Sequence, residues 1–278
     1  MRPFRALGLA FPLLLLQACA SAPETRRDAS FEALPFETLR DETHARVERY
    51  VDAALVAPVR RVAPPRVVVL EDAAGAGVSE AQAALVGNRA AREACNRLAR
   101  HFLIDAEAPE LEIELRVSAI RPTSAGAASV SALFDVFVPG PFRLPAGLGG
   151  FAAEGVARVE GRKALVLRWA EGAGAISEST RVSSIGDAYQ LAGDFGRDFA
   201  RALVEATGST ASTERGITTA VEQANESRCL EWFGRASVAG RGASILLPLA
   251  PEAIDAGAPP RRPGPVRESE RVEPEPAG

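Results

Sequence analysis

The sequence predicts an α+β fold: a single domain whose mainly antiparallel sheet carries two long helices packed on one face. Residues 111–120 alternate apolar and polar side chains with a period of two, which is typical of a strand with one solvent-exposed face. Residues 79–102 and 187–206 instead place apolar side chains at helical spacing, as helices lying on a sheet do. The predicted order is β-α-β-insertion-β-β-α, with one further strand before the last helix, and it fits this class.

The first half of the predicted domain contains a short helix or turn, a strand and the start of the first long helix. Residues 43–51 are predicted to form a short helix or turn. Residues 66–70 (RVVVL) form a continuous apolar run, which is typical of a strand buried on both faces and central in a sheet. Ser79 precedes Gln82 by three residues, so it is predicted to cap the first long helix.

The middle of the chain predicts a β-hairpin formed by residues 151–159 and 163–170 around a turn at residues 160–162. Residues 176–184 predict a further strand. An insertion at residues 130–150 precedes the hairpin and is rich in apolar residues, proline and glycine. It is either a buried strand or an exposed patch that contacts a partner or a membrane.

The last core helix, residues 187–206, is predicted to begin with Asp187 as its cap and to end at Gly208. Beyond it, residues 213–226 are predicted to be helical. Residues 244–249 are predicted to form a late edge strand or a docking segment.

The N-terminus resembles a bacterial lipoprotein signal. Two arginines precede an apolar stretch at residues 6–16, and the run Leu-Gln-Ala-Cys ends at Cys19. That stretch is about half of the ~20 residues that a membrane-spanning helix needs. The resemblance implies that residues 1–18 are removed and that acyl chains on Cys19 hold the protein to the membrane. Because Ala20 and Ser21 follow, with no aspartate, it also implies sorting to the outer membrane, facing the periplasm.

The chain is therefore predicted to have five parts. They are a signal peptide (1–18), a tether (19–42), the α+β domain (43–208), a C-terminal extension packing on the domain (209–250) and a disordered proline-rich tail (251–278). The tail has too few large apolar groups to offset the entropy lost on ordering. Within the tether, Phe31 and Phe36 are candidate docking points.

Charge excludes one class of partner. The chain has 278 residues and a net charge of −4, without the basic surplus of a general nucleic-acid binder. We therefore predict no nucleic-acid partner.

Two cysteines follow Cys19 in the sequence. The periplasm is oxidising, so Cys95 and Cys229 are able to form a disulfide. Cys95 also lies on the apolar side of its predicted helix, where a free cysteine behaves as a small hydrophobic residue; both interpretations stay open. The only histidines are His44 and His101, too few for a dedicated zinc site, and we predict no metal or cofactor.

Three carboxylates are the strongest catalytic candidates. Asp194 and Asp198 lie one helical turn apart, and Asp187 precedes them on the same predicted helix. Paired carboxylates are able to bind a cation or to act in acid–base chemistry. Arg197 and Arg201 lie on the same side, however, so a solvated ion-pair face is the preferred interpretation. No Gly-x-Ser-x-Gly motif accompanies the histidines, and we predict no catalytic residue and no enzyme activity.

Four stretches in sequence order carry a resemblance to a known family. They are residues 144–150 (LPAGLGG), Glu154, residues 167–170 (LRWA) and residues 185–192 (IGDAYQLA). Together with the signal they resemble the bacterial lipoproteins of the domain of unknown function 3313 family, over roughly residues 50–206. The resemblance implies no established activity, and Cys19 is the only functional residue that it transfers. The order of elements also looks like that of envelope accessory lipoproteins, which is an analogy of fold alone.

These observations lead to one expected function and two alternatives. We expect a non-catalytic adaptor in an envelope assembly, for transport or cell-wall synthesis, with a protein partner. The first alternative is a small-ligand or lipid-binding protein with an apolar cavity between sheet and helices. The second is a hydrolase that uses Asp187, Asp194 or Asp198.

Overall fold

The computed structural model describes residues 21–25, 29–123, 148–173, 183–208, 216–236 and 250–259. The strands are β1 (Glu37–Asp41), β2 (Ala45–Val51), β3 (Arg61–Val62), β4 (Arg66–Val69), β5 (Leu103–Ile104), β6 (Glu112–Arg121), β7 (Gly150–Val159) and β8 (Arg162–Gly172). Six of them form one sheet in the order β1-β2-β8-β7-β6-β4. Neighbours in that sheet are antiparallel except β4 and β6, and β3 pairs with β5 separately in parallel.

The two long helices pack on one face of this sheet. The helices of the described residues are α1 (Ala53–Val56), α2 (Glu80–Leu98), α3 (Gly186–Ala206), α4 (Thr219–Phe233) and α5 (Pro251–Ile254). The long helices α2 and α3 lie side by side, with α2 over β4 and β6 and α3 over β7 and β8. The predicted α+β class, with two long helices on one face of a mainly antiparallel sheet, is confirmed. Among the described residues, no helix is long and apolar enough to cross a membrane.

Glycines bring the helices close to each other and to the sheet. A Cβ atom on Gly196 of α3 would lie 2.4 Å from the carbonyl oxygen of Ala90 in α2. A Cβ atom on Gly155 of β7 would lie 2.2 Å from the ring of Phe199. Four aromatic rings with neighbouring centroids 5.9–6.4 Å apart fill the space beneath α3: Phe151, Trp169, Phe195 and Phe199. Burying such rings is a large part of the hydrophobic stabilisation of a core.

The starts of the two long helices differ in how they are capped. Ser79 and Gln82 form the predicted capping box at the start of α2. Helix α3 begins one residue earlier than predicted, and Asp187 is not its cap. The Asp187 carboxylate is fully buried and accepts a hydrogen bond from the Gly149 amide at 2.7 Å. It therefore ties the start of α3 to the chain that enters β7.

Two predictions for the early part of the domain are wrong. Residues 43–51 form the turn and strand β2, not a helix, because Ala45 and Val47 face the core while Arg46 points to solvent. The apolar run at residues 66–70 forms β4, which is an edge strand rather than a central one. Helix α2 covers only one of its faces, where Val67 packs beneath Gly87.

The predicted tether at residues 19–42 is wrong for its second half. Phe31 is fully buried against Val156 and Val166, on the sheet face opposite the helices. Phe36 packs at the same place under the guanidinium of Arg168, 4.2 Å from its ring centroid. Residues 37–41 then form β1. Apolar and cation–π contacts thus hold residues 29–41 on the domain. The signal peptide and Cys19 lie outside the described residues.

The described part of the C-terminal extension, residues 216–236, also packs on the domain. Helix α4 begins later than the predicted helix 213–226, and its buried Asn225 bonds the backbone after α2, at Ala99, Phe102 and Ile104. The expectation of disorder from residue 251 is wrong for residues 251–259, because α5 and the buried Asp255 pack against α2 and α3.

Several predicted segments lie outside the described residues. They are the insertion up to residue 147, most of the strand predicted at residues 176–184, the segment 244–249 and the tail from residue 260.

A disulfide joins Cys95 in α2 to Cys229 in α4, with Cα atoms 5.8 Å apart. Both side chains are fully buried. The bond fastens α4 to the helix layer across 134 residues of sequence.

We predict that replacing both Cys95 and Cys229 with alanine lowers the free energy of unfolding by about 2–4 kcal/mol, because the long loop then adds conformational entropy to the unfolded chain. Urea unfolding followed by circular dichroism measures the change. Reducing agent should destabilise the wild type by a similar amount and leave the double variant unchanged. Equal unfolding midpoints of wild type and double variant would contradict the prediction.

We predict that Phe31→Ala lowers the free energy of unfolding by about 3–5 kcal/mol, because it empties a buried site on the sheet. Leu39→Ala is the matched control, since Leu39 is 42% exposed, and its effect should stay within about 0.5 kcal/mol. If residues 29–36 were a free tether, both variants would unfold at the same urea concentration as the wild type.

Candidate functional site

The exposed side of α3 carries a row of alternating charges. We call this row the charged stripe: Asp194, Arg197, Asp198, Arg201 and Glu205. The spacing of three and four residues puts these side chains on one face. Arg197 is paired with Asp194, and Arg201 with Asp198. The prediction of an ion-pair face thus describes the arrangement seen here, and a cleft lies on each side of it.

The first cleft, the edge cleft, lies between the charged stripe and strands β1, β2 and β8 and has a volume of about 530 Å³. Asp198 lies in its wall and accepts hydrogen bonds from the Trp169 indole nitrogen at 3.0 Å and from Arg40 at 3.3 Å. Arg40 also donates to Glu171 at 3.0 Å. Burial raises the pKa of Glu171 above its usual value, and Arg40 opposes this effect without cancelling it.

The second cleft, the basic cleft, lies between the C-terminal ends of α2 and α3 and has a volume of about 330 Å³. Its charged and titratable lining residues are Arg97, Arg100, His101, Arg197, Arg201 and Glu205. Four arginines therefore face one carboxylate in a chain whose net charge is −4.

The direction of the helices explains this concentration of arginine. Helices α2 and α3 are parallel, since Arg89 meets Gly193 and Ala90 meets Gly196. Their C-termini, the negative ends of their dipoles, therefore lie side by side, where positive side chains are stabilising. Arg97 also pairs with Glu93 at 3.3 Å, and Arg100 with Glu222 at 3.4 Å.

The structure brings Asp194 and Asp198 together on the charged stripe but keeps the third catalytic candidate, Asp187, apart from them. Asp187 is buried at the start of α3, about 16 Å along the helix axis from Asp198 at 1.5 Å per residue. His44 lies at the β1–β2 turn with Nε2 3.3 Å from Glu42, whereas His101 lines the basic cleft. The described parts of the chain contain no cluster of three or more metal-ligating side chains.

A buried ion pair that the sequence did not predict joins α2 to Asp255, the residue that follows α5. Arg92 of α2 donates to Asp255 at 3.0 Å and to the Tyr189 hydroxyl at 3.0 Å, and Tyr189 donates to Asp255. The Arg92 and Asp255 side chains are 5% and 0% exposed. Asn88 adds a hydrogen bond to the Phe233 carbonyl at 2.9 Å. Together these bonds fix α5 and the end of α4 on α2.

Burial and ion pairing have opposite effects on the pKa values of Asp255 and Arg92. Burial by itself disfavours the Asp255 carboxylate, but the hydrogen bonds from Arg92 and Tyr189 outweigh it, and the pKa of Asp255 lies below its usual value. Burial likewise opposes the charge of Arg92, yet its bond to Asp255 leaves the pKa of Arg92 raised. Burial and the bond to Asp255 raise the pKa of Tyr189 to about 12. The pair is therefore ionised at neutral pH.

Comparison with known proteins adds little to this geometry. No family model matches the chain, and no curated protein matches it. Among solved structures, the PelC dodecamer from Paraburkholderia phytofirmans is similar with a TM-score of 0.36 and 11% identity, over 60% of this chain and 99% of that one. A variant of the same PelC dodecamer gives a TM-score of 0.32 and 12% identity, over 59% and 97%. At these values the likeness carries no functional inference.

We predict that Asp255→Asn lowers the free energy of unfolding at pH 7 by about 3–5 kcal/mol, because Arg92 is left buried without its anion. The folded-state pKa of Asp255 is lowered, so its stabilisation is present above its ordinary pKa and is lost as pH falls through the folded-state pKa. The gap between wild type and variant should therefore shrink as the pH falls below about 4. Urea unfolding at a series of pH values measures it.

Glu231→Gln is the control for this series. Glu231 is exposed on α4, and its replacement should change the free energy of unfolding by no more than about 0.5 kcal/mol at pH 7. A gap between wild type and Asp255→Asn that is small at pH 7, or that widens in acid, would contradict the ion pair.

Proposed function

We propose that this chain is a bacterial envelope lipoprotein, acylated at Cys19 and held at the outer membrane facing the periplasm, that acts as a non-catalytic adaptor in an envelope assembly. The signal at residues 1–19 supports the anchor. The surface of the domain is best suited to binding a protein partner.

The observation that carries the adaptor role is the charged stripe with a cleft on either side. Its two arginine–aspartate pairs hold their side chains in place, and Arg197 and Arg201 border both clefts. Fixed charges of both signs, arranged around concave surface, favour recognition of a protein with complementary charges. The exposed Leu39 on edge strand β1 lines the edge cleft and adds an apolar contact.

The arrangement of the aspartates supports a non-catalytic role. Asp198 accepts hydrogen bonds from Trp169, Arg40 and Arg201, which a substrate would have to displace. Asp187 is occupied by the Gly149 amide and is buried. A general acid or base needs an oxygen within hydrogen-bond reach of the substrate. The hydrolase alternative therefore receives no support from Asp187 and Asp198.

The alternative of a small-ligand or lipid-binding protein needs an apolar cavity between sheet and helices. In the described residues that space is filled by the four aromatic rings beneath α3, and Phe199 lies directly on Gly155. Both clefts at the charged stripe are instead open and lined with charge. This alternative is therefore the weaker proposal.

Photocrosslinking in cells tests the adaptor role. We expect a photoreactive amino acid at Arg197 to give a discrete heavier adduct, because this side chain borders both clefts and is 42% exposed. The matched control is the same amino acid at Arg66, which is 71% exposed on the edge strand β4, away from α3. The Cys19→Ala variant should lose the adduct because it is no longer anchored beside its partner.

Two results would contradict the proposal. The first is the absence of any adduct from Arg197 while the anchored protein is present at normal level. The second is an adduct of the same size and yield from Arg66, which would indicate unspecific proximity.

A further inference from the structure

We infer that the end of the domain where the chain enters the fold lies directly on the membrane surface, with no tether between the acyl chains and the domain. The inference rests on the acylation of Cys19 that the proposed function includes. We call this end the anchor end and define it by Ser21, the turn at residues 42–44, Arg121 and Gly150.

The length of chain between anchor and domain is the first argument. Only Ala20 separates Cys19 from Ser21. The Ser21 carbonyl already accepts a hydrogen bond from Arg121 at 2.7 Å, and the Ala22 amide donates to the Thr43 carbonyl at 2.8 Å. Two fully extended residues span about 7 Å. The Cα atom of Cys19 therefore lies at most about 7 Å from the Cα atom of Ser21, the first residue bonded to the domain.

The way the chain enters the fold is the second argument. Pro23 is buried, and a Cβ atom on Gly150 would lie 2.9 Å from its ring. Because Gly150 has no side chain, the Pro23 ring packs closely against the start of β7. Proline also restricts the backbone locally, so this segment has less freedom to swing away from the sheet than a polar linker has.

The topology places further elements at the anchor end. Strands β6 and β8 finish there, and β7 starts there. Helices α2 and α3 both begin on this side, since Gln82 near the start of α2 bonds Ser184 next to the start of α3. Helix α3 has 21 residues and is roughly 30 Å long at 1.5 Å per residue. The basic cleft at its C-terminal end therefore faces away from the membrane.

The described residues that flank the stretches 124–147 and 174–182 lie at the anchor end. The Thr123 amide donates to the Ser184 carbonyl at 2.7 Å, and the Ala173 amide donates to the Gly149 carbonyl at 3.0 Å.

Two single-cysteine variants of the full-length lipoprotein test the inference. Ala76→Cys lies at the anchor end, next to Gly75, whose amide donates to the Ile120 carbonyl at 3.0 Å. Ala54→Cys lies at the opposite end of β2, in α1, and both alanines are exposed. Cys95 and Cys229 are bonded to each other and Cys19 is acylated, so the introduced thiol is the one a maleimide fluorophore labels.

The labelled proteins are reconstituted in vesicles of phosphatidylethanolamine and phosphatidylglycerol that carry a headgroup quencher. We expect strong quenching of the Ala76→Cys probe and weak quenching of the Ala54→Cys probe, which is about 20 Å farther along the strand direction at ~3.4 Å per residue. Insertion of about ten glycine and serine residues between Ala20 and Ser21 should remove most of the difference, because such a linker is flexible.

The outcomes separate this inference from the proposed function. If the protein does not float with the vesicles, the anchor at Cys19 is wrong and the inference falls with it. If it floats but both probes are quenched weakly and equally, the lipoprotein stands and the direct contact is overturned. Stronger quenching of the Ala54→Cys probe than of the Ala76→Cys probe would overturn the orientation.

Discussion

The close, parallel contact between α2 and α3 is the constraint on which the rest of the domain depends. It exists because Gly196 has no side chain, so α3 approaches the Ala90 carbonyl of α2 closely, while Gly155 lets Phe199 rest on the sheet. The described segments that follow α3 are then fastened to α2. The disulfide at Cys95 holds α4, and Arg92 holds the segment that contains α5. A larger residue at either glycine would push α3 against backbone or an aromatic ring, which interiors packed at crystal density resist.

Parallel helices also give the domain two different ends. Both N-termini lie on the side where the chain enters the fold, and both C-termini lie on the far side, where arginines offset the helix dipoles. The entry segment is short and bonded, so in the proposed lipoprotein the far side would face the periplasm. In the proposed adaptor role, the partner therefore meets the charged stripe within a few tens of ångströms of the membrane. The inferred orientation on the membrane and the position of the proposed partner surface both follow from the direction in which α2 and α3 run.

Local patterns were enough to predict the layers of the fold but not its edges or its polar contacts. The alternation in β6 and the capping box at Ser79 are local signals, and they predicted their elements correctly. Strand β2 was missed because its charged residues find partners on other elements: Arg49 pairs with Glu37 and with Glu205, which is 156 residues away. The bond between Trp169 and Asp198 and the pair of Arg92 with Asp255, 163 residues apart, leave no trace in residue spacing. The charged stripe itself was predictable, since it lies on one helix.

The central claim is that residues 21–25 and 29–36 lie on the domain and do not form a tether. Hydrogen exchange of the acylated, full-length protein, read at single amides, tests this claim most directly. Ala22 donates its amide to the Thr43 carbonyl and Phe36 donates to the Leu34 carbonyl, so both should exchange far more slowly than an unstructured chain. Exchange of both amides at the rate of a free peptide, while the β2 amides stay protected, would show that residues 21–36 are a tether and would contradict the account.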